Sequence, residues 1–209
     1  MKNYKIYFVF CVAVALITAA VYYVSIGYYP IATVNGSFIT EKTFSENYNT
    51  ASFYYRNILK AYAATSTDSM NSFGNGLPQN GTSSSTPKIL TPAEIQQSVL
   101  SGLVENILIE NGARKEIGEE LDRLVTEKVN QAAGTPGTGK AVGAIYGLSL
   151  ADFKKEILVP QAERDILTGS LFLKGQKIED WLIAEKKASK VMIFSGKFYW
   201  NGEDVAIKR

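Results

Sequence analysis

The chain has 209 residues, with 22 Lys and Arg against 20 Asp and Glu, one cysteine and no histidine. A net charge of +2 with acids and bases interspersed excludes the basic stripe of a nucleic-acid-binding protein. The missing histidine excludes histidine metal sites, Ser-His-Asp triads and Cys-His dyads, and a lone cysteine excludes an intramolecular disulfide.

Ile6 to Val24 is one uncharged apolar run, preceded by Lys2 and Lys5. At helical rise it spans roughly 28 Å, close to the hydrocarbon thickness of a bilayer. The run exceeds the apolar core of a signal peptide and ends in Tyr22, Tyr23, Tyr28 and Tyr29, which suit a membrane interface. These features favour an uncleaved transmembrane anchor over a cleaved signal. The lysines place residues 1–29 as cytoplasmic tip and anchor, with residues 30–209 as one extracytoplasmic domain. Cys11 reads as a small apolar residue within the span, since no lipoprotein-type small residues precede it.

Ile31 to Val34 reads as a short strand, and Asn35-Gly36 as a turn. Thr40 then caps a helix from about Glu41 to Ala64, with Phe44, Tyr48, Ala51, Tyr55, Ile58, Leu59 and Tyr62 at spacings of three and four. This aromatic stripe serves either a core or a partly exposed surface. Thr65 to Lys88 is rich in Ser, Thr, Asn and Gly without periodicity, and reads as a flexible loop.

Thr91-Pro92-Ala93-Glu94 combines an N-cap, a first-turn proline and a capping-box glutamate. The helix it opens carries apolar residues from Val99 to Ile109 over a wide face, which predicts the central helix of the core; Gly118 ends it. A shorter helix follows over about Glu119 to Ala132. The next spans about Leu150 to Leu173 after the Ser149 cap, and Pro160 should kink it or split it. The last covers about Ile178 to Ser189. Val191–Phe194, Lys197–Trp200 and Val205–Ile207 are strand-like, the last two across the Asn201-Gly202 turn. The expectation is a mainly α domain, closed by a small β-sheet that joins the N- and C-terminal strands.

Gly134-Thr-Pro-Gly-Thr-Gly-Lys140 fits the G-x-x-x-x-G-K phosphate-loop spacing. Ala141 stands where the magnesium-binding Ser or Thr belongs, and a helical pattern precedes the loop instead of a strand. The segment therefore reads as an interhelix connection, with no nucleotide and no other cofactor.

The order of these signals resembles the SurA/PrsA/PpiD-type group of chaperones and peptidyl-prolyl isomerases. Thr33-Val-Asn-Gly-Ser-Phe-Ile-Thr40 is similar to the V-N-G-x-x-I-T opening of that group's N-terminal domain. Leu103-Val-Glu-Asn-Ile-Leu-Ile109 with Ala113 resembles its L-I-x-x-x-L-L-x-x-x-A helix. Tyr146-Gly-Leu-Ser-Leu-Ala-Asp-Phe153 resembles its G-x-S-x-x-x-F step, and Trp181 with the following lysines its closing segment. The group usually carries a parvulin-type isomerase domain before that closing segment. Here only a short step joins Leu173 to Ile178, and the usual histidines are missing. The resemblance thus implies a passive, membrane-anchored chaperone module that holds unfolded or exported polypeptides without isomerase chemistry. A relic isomerase is a weaker reading, and an envelope structural or assembly protein with a single folded partner is the alternative. Holding a client requires exposed apolar surface in an adaptable groove. The candidate residues are Phe53, Tyr54, Tyr55, Tyr62, Phe172 and Trp181, each of which also fits a core position.

Overall fold

The computed structural model describes residues 8–10, 12–15, 18, 27–72 and 89–208, with 62–72 as backbone only. The apolar run Ile6 to Val24 lies for the most part outside the described residues, as does Cys11. Among the described residues, no helix is long and apolar enough to cross a membrane.

The domain starts with a hairpin. Strands β1 (Pro30–Val34) and β2 (Ser37–Thr40) pair antiparallel through Val34 with Ser37 and Thr33 with Phe38. Asn35 and Gly36 between them have φ angles of 51° and 92°. Two left-handed residues give a tight turn whose twist matches the flanking strands, which is why Asn-Gly predicts it. The sequence reading places this turn but misses β2, because the alternation of exposed Phe38 and buried Ile39 is too brief to register a period of two. Strand β3 (Val191–Ile193) pairs with the other edge of β1, Ala32 facing Ile193 and Val34 facing Val191. The order is β2-β1-β3, so the expected union of the two ends of the domain is present, and Ala32 and Val34 on the central strand are fully buried.

The expected single sheet is, however, two. Strands β4 (Phe198–Trp200) and β5 (Val205–Ile207) form a separate hairpin. Asn201 organises its turn by accepting from the backbone N–H groups of Glu203 and Asp204 at 2.9 and 2.8 Å. Helix α2 (Pro92–Ile117) holds this hairpin: Gln97 Nε2 donates to the Val205 carbonyl at 2.7 Å, and the Ser101 hydroxyl to Asp204 Oδ1 at 2.5 Å.

Asn35 ties the first hairpin to the end of the chain. Its Oδ1 accepts from Lys190 N–H at 2.9 Å, its backbone N–H donates to the Lys190 carbonyl at 3.0 Å, and its Nδ2 donates to Ser189 Oγ at 3.1 Å. Asn35→Ala removes the side-chain bonds and puts an alanine in the left-handed region. The expected loss is about 2 kcal/mol, read as a lower urea midpoint at unchanged slope.

The helices follow. Helix α1 (Glu41–Ser72) starts where Thr40 Oγ1 accepts from Thr43 N–H at 3.2 Å. It runs past the expected end at Ala64, so residues 65–72 of the supposed flexible loop are helical; residues 73–88 lie outside the described residues. Extending an existing helix adds one hydrogen bond per residue fixed, with no new nucleus, and needs no apolar periodicity. In α2 the capping box is complete: Thr91 N–H donates to Glu94 Oε2 at 2.8 Å, and Glu94 N–H to Thr91 Oγ1 at 3.2 Å. Leu100, Val104, Leu108, Ile109 and Ala113 of α2 are buried, and the helix ends at Gly118, with φ 68°. It is the central helix, packed by α1 and most later elements.

A 3-10 turn (Gly118–Glu120) leads into α3 (Leu121–Ala133). The glycine-rich segment is shorter as a loop than expected, because Thr138–Tyr146 forms a helix, α4. Gly139 and Gly143 mask it in the sequence. Packing holds it in place: Val142 is buried, and Asn57 of α1 donates to the Ala144 and Ile145 carbonyls at 3.1 and 3.2 Å. Lys140 of the phosphate-loop spacing sits in this helix, and α3 precedes the turn where a phosphate loop needs a strand.

Ser149 caps the short α5 (Leu150–Phe153), accepting from Asp152 N–H at 3.1 Å. Pro160 splits the predicted helix as its geometry requires. Residues Lys154–Leu158 form a π turn, in which Val159 N–H reaches the Lys154 carbonyl, and Pro160 falls in the first turn of α6 (Val159–Leu173). There its missing N–H costs nothing. Residues 174–177 then join α6 to α7 (Ile178–Ala188).

Candidate functional site

The five candidate aromatic residues whose side chains are described do not share one surface. Phe53 and Tyr54 face the C-terminal end of α4: the Phe53 ring lies where a side chain on Gly147 would be, and Tyr54 stacks on Tyr146 at 5.1 Å and 6°. Tyr146 in turn meets Phe153 at 5.2 Å, so the two ends of the Tyr146–Phe153 motif close on each other. The partly buried Tyr55 hydroxyl accepts from Leu90 N–H at 2.7 Å and holds the approach to α2. The side chain of Tyr62 lies outside the described residues. Phe172 is 77 % exposed at the end of α6, beside exposed Leu173. Trp181 packs against the core, with its ring over Gly112 of α2.

A groove runs along the seam between α1, α2 and the α4–α6 segment, and of the candidate residues Phe53 and Tyr54 line parts of it. It consists of three adjoining cavities of about 590, 500 and 320 Å³, and Glu156 of the π turn lines all three. In the 590 Å³ cavity, Ile39, Leu103, Ile107, Val125 and Val159 supply apolar lining. Each wall comes from one stripe. Leu103, Ile107, Glu110 and Arg114 recur at three- and four-residue spacings along α2, while Asp122, Val125 and Thr126 do so on α3. Across the π turn and the start of α6, Glu156, Val159 and Glu163, spaced three and four apart, all line the same cavity.

The polar lining is unbalanced. Glu46, Glu110, Asp122, Glu156 and Glu163 face the cavity against only Arg114 and Lys155. Arg114 is already engaged, its Nε donating to Glu110 Oε1 at 3.1 Å and its Nη1 paired with Asp122 Oδ1 at 3.3 Å. Glu163 is only 8 % exposed, and its carboxyl forms no hydrogen bond or ion pair with another described side chain. Burial pushes its carboxyl up to about 7, the Glu110 and Asp122 charges add to the rise, and Arg114 opposes it. Glu156 is also raised, first by burial and then by Glu46 and Asp152, and its Oε2 is buried without a partner.

Near neutral pH, Glu163 can therefore stand as a carboxylic acid that donates to a carbonyl, or as a carboxylate that attracts a cation. Among the described residues no His, Cys, Asp and Glu group is arranged to hold a metal ion. The signal for this site is present in the sequence. Glu163 occupies the apolar stripe Val159, Glu163, Leu167, Leu171, where an acid is out of place.

The described residues define a mainly helical domain closed by small antiparallel sheets, with an acidic, apolar-floored groove along its central helix. Comparison of the chain with protein-family models, with curated proteins and with solved structures gives no match.

Proposed function

We propose that the chain is a polypeptide-binding module of chaperone type, tethered by residues 6–24 to a membrane with its domain on the extracytoplasmic side. The reading assigns it no isomerase step. The groove carries the proposal. An open seam with an apolar floor and hydrogen-bonding walls suits an extended segment better than a rigid small molecule. The ordered motifs quoted above support the same reading. Their residues lie at the sheet and along the groove: Val34-Asn35-Gly36 forms the hairpin turn, Leu103, Ile107 and Glu110 line a groove wall, and Tyr146 meets Phe153.

The test is aggregation suppression by the full chain, reconstituted in liposomes, on a chemically unfolded exported protein. Suppression at a few-fold molar excess is expected. No suppression at tenfold excess overturns the reading. The exposed Phe172 and Leu173 at the end of α6 favour the second reading, a fixed contact with one folded partner. Photocrosslinking from position 172 in cells separates the two: many partners support the chaperone reading, and one dominant partner supports the alternative.

A further inference from the structure

We propose, resting on the polypeptide-binding reading, that the groove between α2, α3 and α6 selects segments carrying a lysine or arginine among apolar residues, with the cationic head seated beside Glu163. Geometry and charge argue for this occupant. Three carboxyl groups, Glu110, Asp122 and Glu163, converge on a single guanidinium, that of Arg114. Arg114 satisfies Glu110 and Asp122, and Glu163 is left buried, unpaired and lining the cavity.

An uncompensated buried charge is costly, and a protonated carboxyl removes that cost. A ligand cation does the same while adding a charge-assisted hydrogen bond. Three neighbouring cations are committed elsewhere. Lys128 of α3 pairs with Asp165, while Arg164 of α6 and Lys186 of α7 both pair with Glu105. Lys155 lines the same cavity from the π turn, beside Glu156. The apolar floor of Leu103, Ile107 and Val159 takes the residues flanking the cation, and the methylene stem of a lysine or arginine lies along such a surface. An acidic segment would add a further carboxylate to the five already present and is excluded by repulsion.

The test uses the full chain in a non-ionic detergent, at pH 8 and low salt. Fluorescence anisotropy compares a labelled apolar nonapeptide with a central arginine, the same peptide with glutamine there, and the same with glutamate. The arginine peptide is expected to bind about tenfold more tightly than the glutamine peptide, and the glutamate peptide more weakly than either. Glu163→Gln is expected to reduce the arginine preference below about threefold while leaving glutamine-peptide affinity in place; Glu179→Gln, on the exposed start of α7, keeps the preference. Equal binding of the arginine and glutamine peptides overturns the selectivity and leaves the polypeptide-binding reading standing. A tenfold preference that survives Glu163→Gln overturns the assignment to this groove. If neither peptide binds, as when a second copy of this chain fills the groove, both readings fall.

Discussion

Gly112→Ala lowers the stability of the domain by about 2 kcal/mol, while Gly102→Ala ten residues earlier on α2 raises it by up to about 1 kcal/mol. The two substitutions gain the same helix propensity, roughly 1 kcal/mol, since alanine restricts the unfolded chain more than glycine does. They differ in what the new methyl meets. At Gly102 there is nothing within 4 Å. At Gly112 the methyl would sit 2.4 Å from Trp181 Cζ2 and 2.6 Å from its Cη2, with Leu167 Cδ2 at 3.3 Å. The partly buried indole packs from α7 against the core, so making room for the methyl disturbs that packing, and overpacking of this kind costs about 1–3 kcal/mol or more. Thermal unfolding should fall by several degrees for Gly112→Ala and rise slightly for Gly102→Ala. Trp181→Phe shortens the ring. In the Gly112→Ala background it should therefore recover part of the loss, whereas alone it destabilises; a double-mutant cycle reads this coupling. Equal gains at both glycines would show that Trp181 does not seal this contact.

That contact also shows which parts of the molecule can be read in one dimension. Local chemistry was legible wherever a few adjacent residues decide the outcome. The Asn35-Gly36 turn, the Thr91–Glu94 capping box, the Gly118 stop and the Pro160 split all follow from steric and hydrogen-bonding rules acting within about five residues. The pairing of the first strand with a C-terminal one was legible from two short apolar runs at the ends of the domain, although the first strand also has a nearer partner in β2. Helix α4 was hidden by Gly139 and Gly143, whose low propensity is overridden by packing on α1 and α5. The role of Trp181 was ambiguous because an aromatic on a helix stripe serves a core or a client equally well; only Gly112, some seventy residues away, decides it. The acidic part of the groove was illegible for the same reason, though Phe53 and Tyr54, named from the sequence, line its other cavities. Its charge imbalance arises from α1, α2, α3, the π turn and α6 together, and no segment alone shows it. Glu163 was the one local clue, an acid at a core position of its helix.

Glu163→Gln changes the pH dependence of stability more than stability at any one pH. In the folded domain the Glu163 carboxyl titrates near 7, against an ordinary value of 4.5. Between those values the native state holds a proton that the unfolded chain has released, so stability falls as pH rises through this window. The stabilisation is fully present below about pH 4.5 and lost above about pH 7. A difference of this size corresponds to an upper limit of about 3 kcal/mol. The variant carries a buried amide that does not titrate. Any cost of leaving that amide unpaired applies equally at all pH values and cancels when one protein is compared across pH. Urea unfolding at pH 5 and pH 8 should therefore show wild-type losing about 2–3 kcal/mol more than Glu163→Gln over the same interval. Asp122→Asn, which removes one of the charges that raise Glu163, should shrink the wild-type loss without abolishing it. Parallel pH profiles for wild-type and Glu163→Gln would mean that this carboxyl is not held in the protonated form, and that the groove carries its full negative charge at neutral pH.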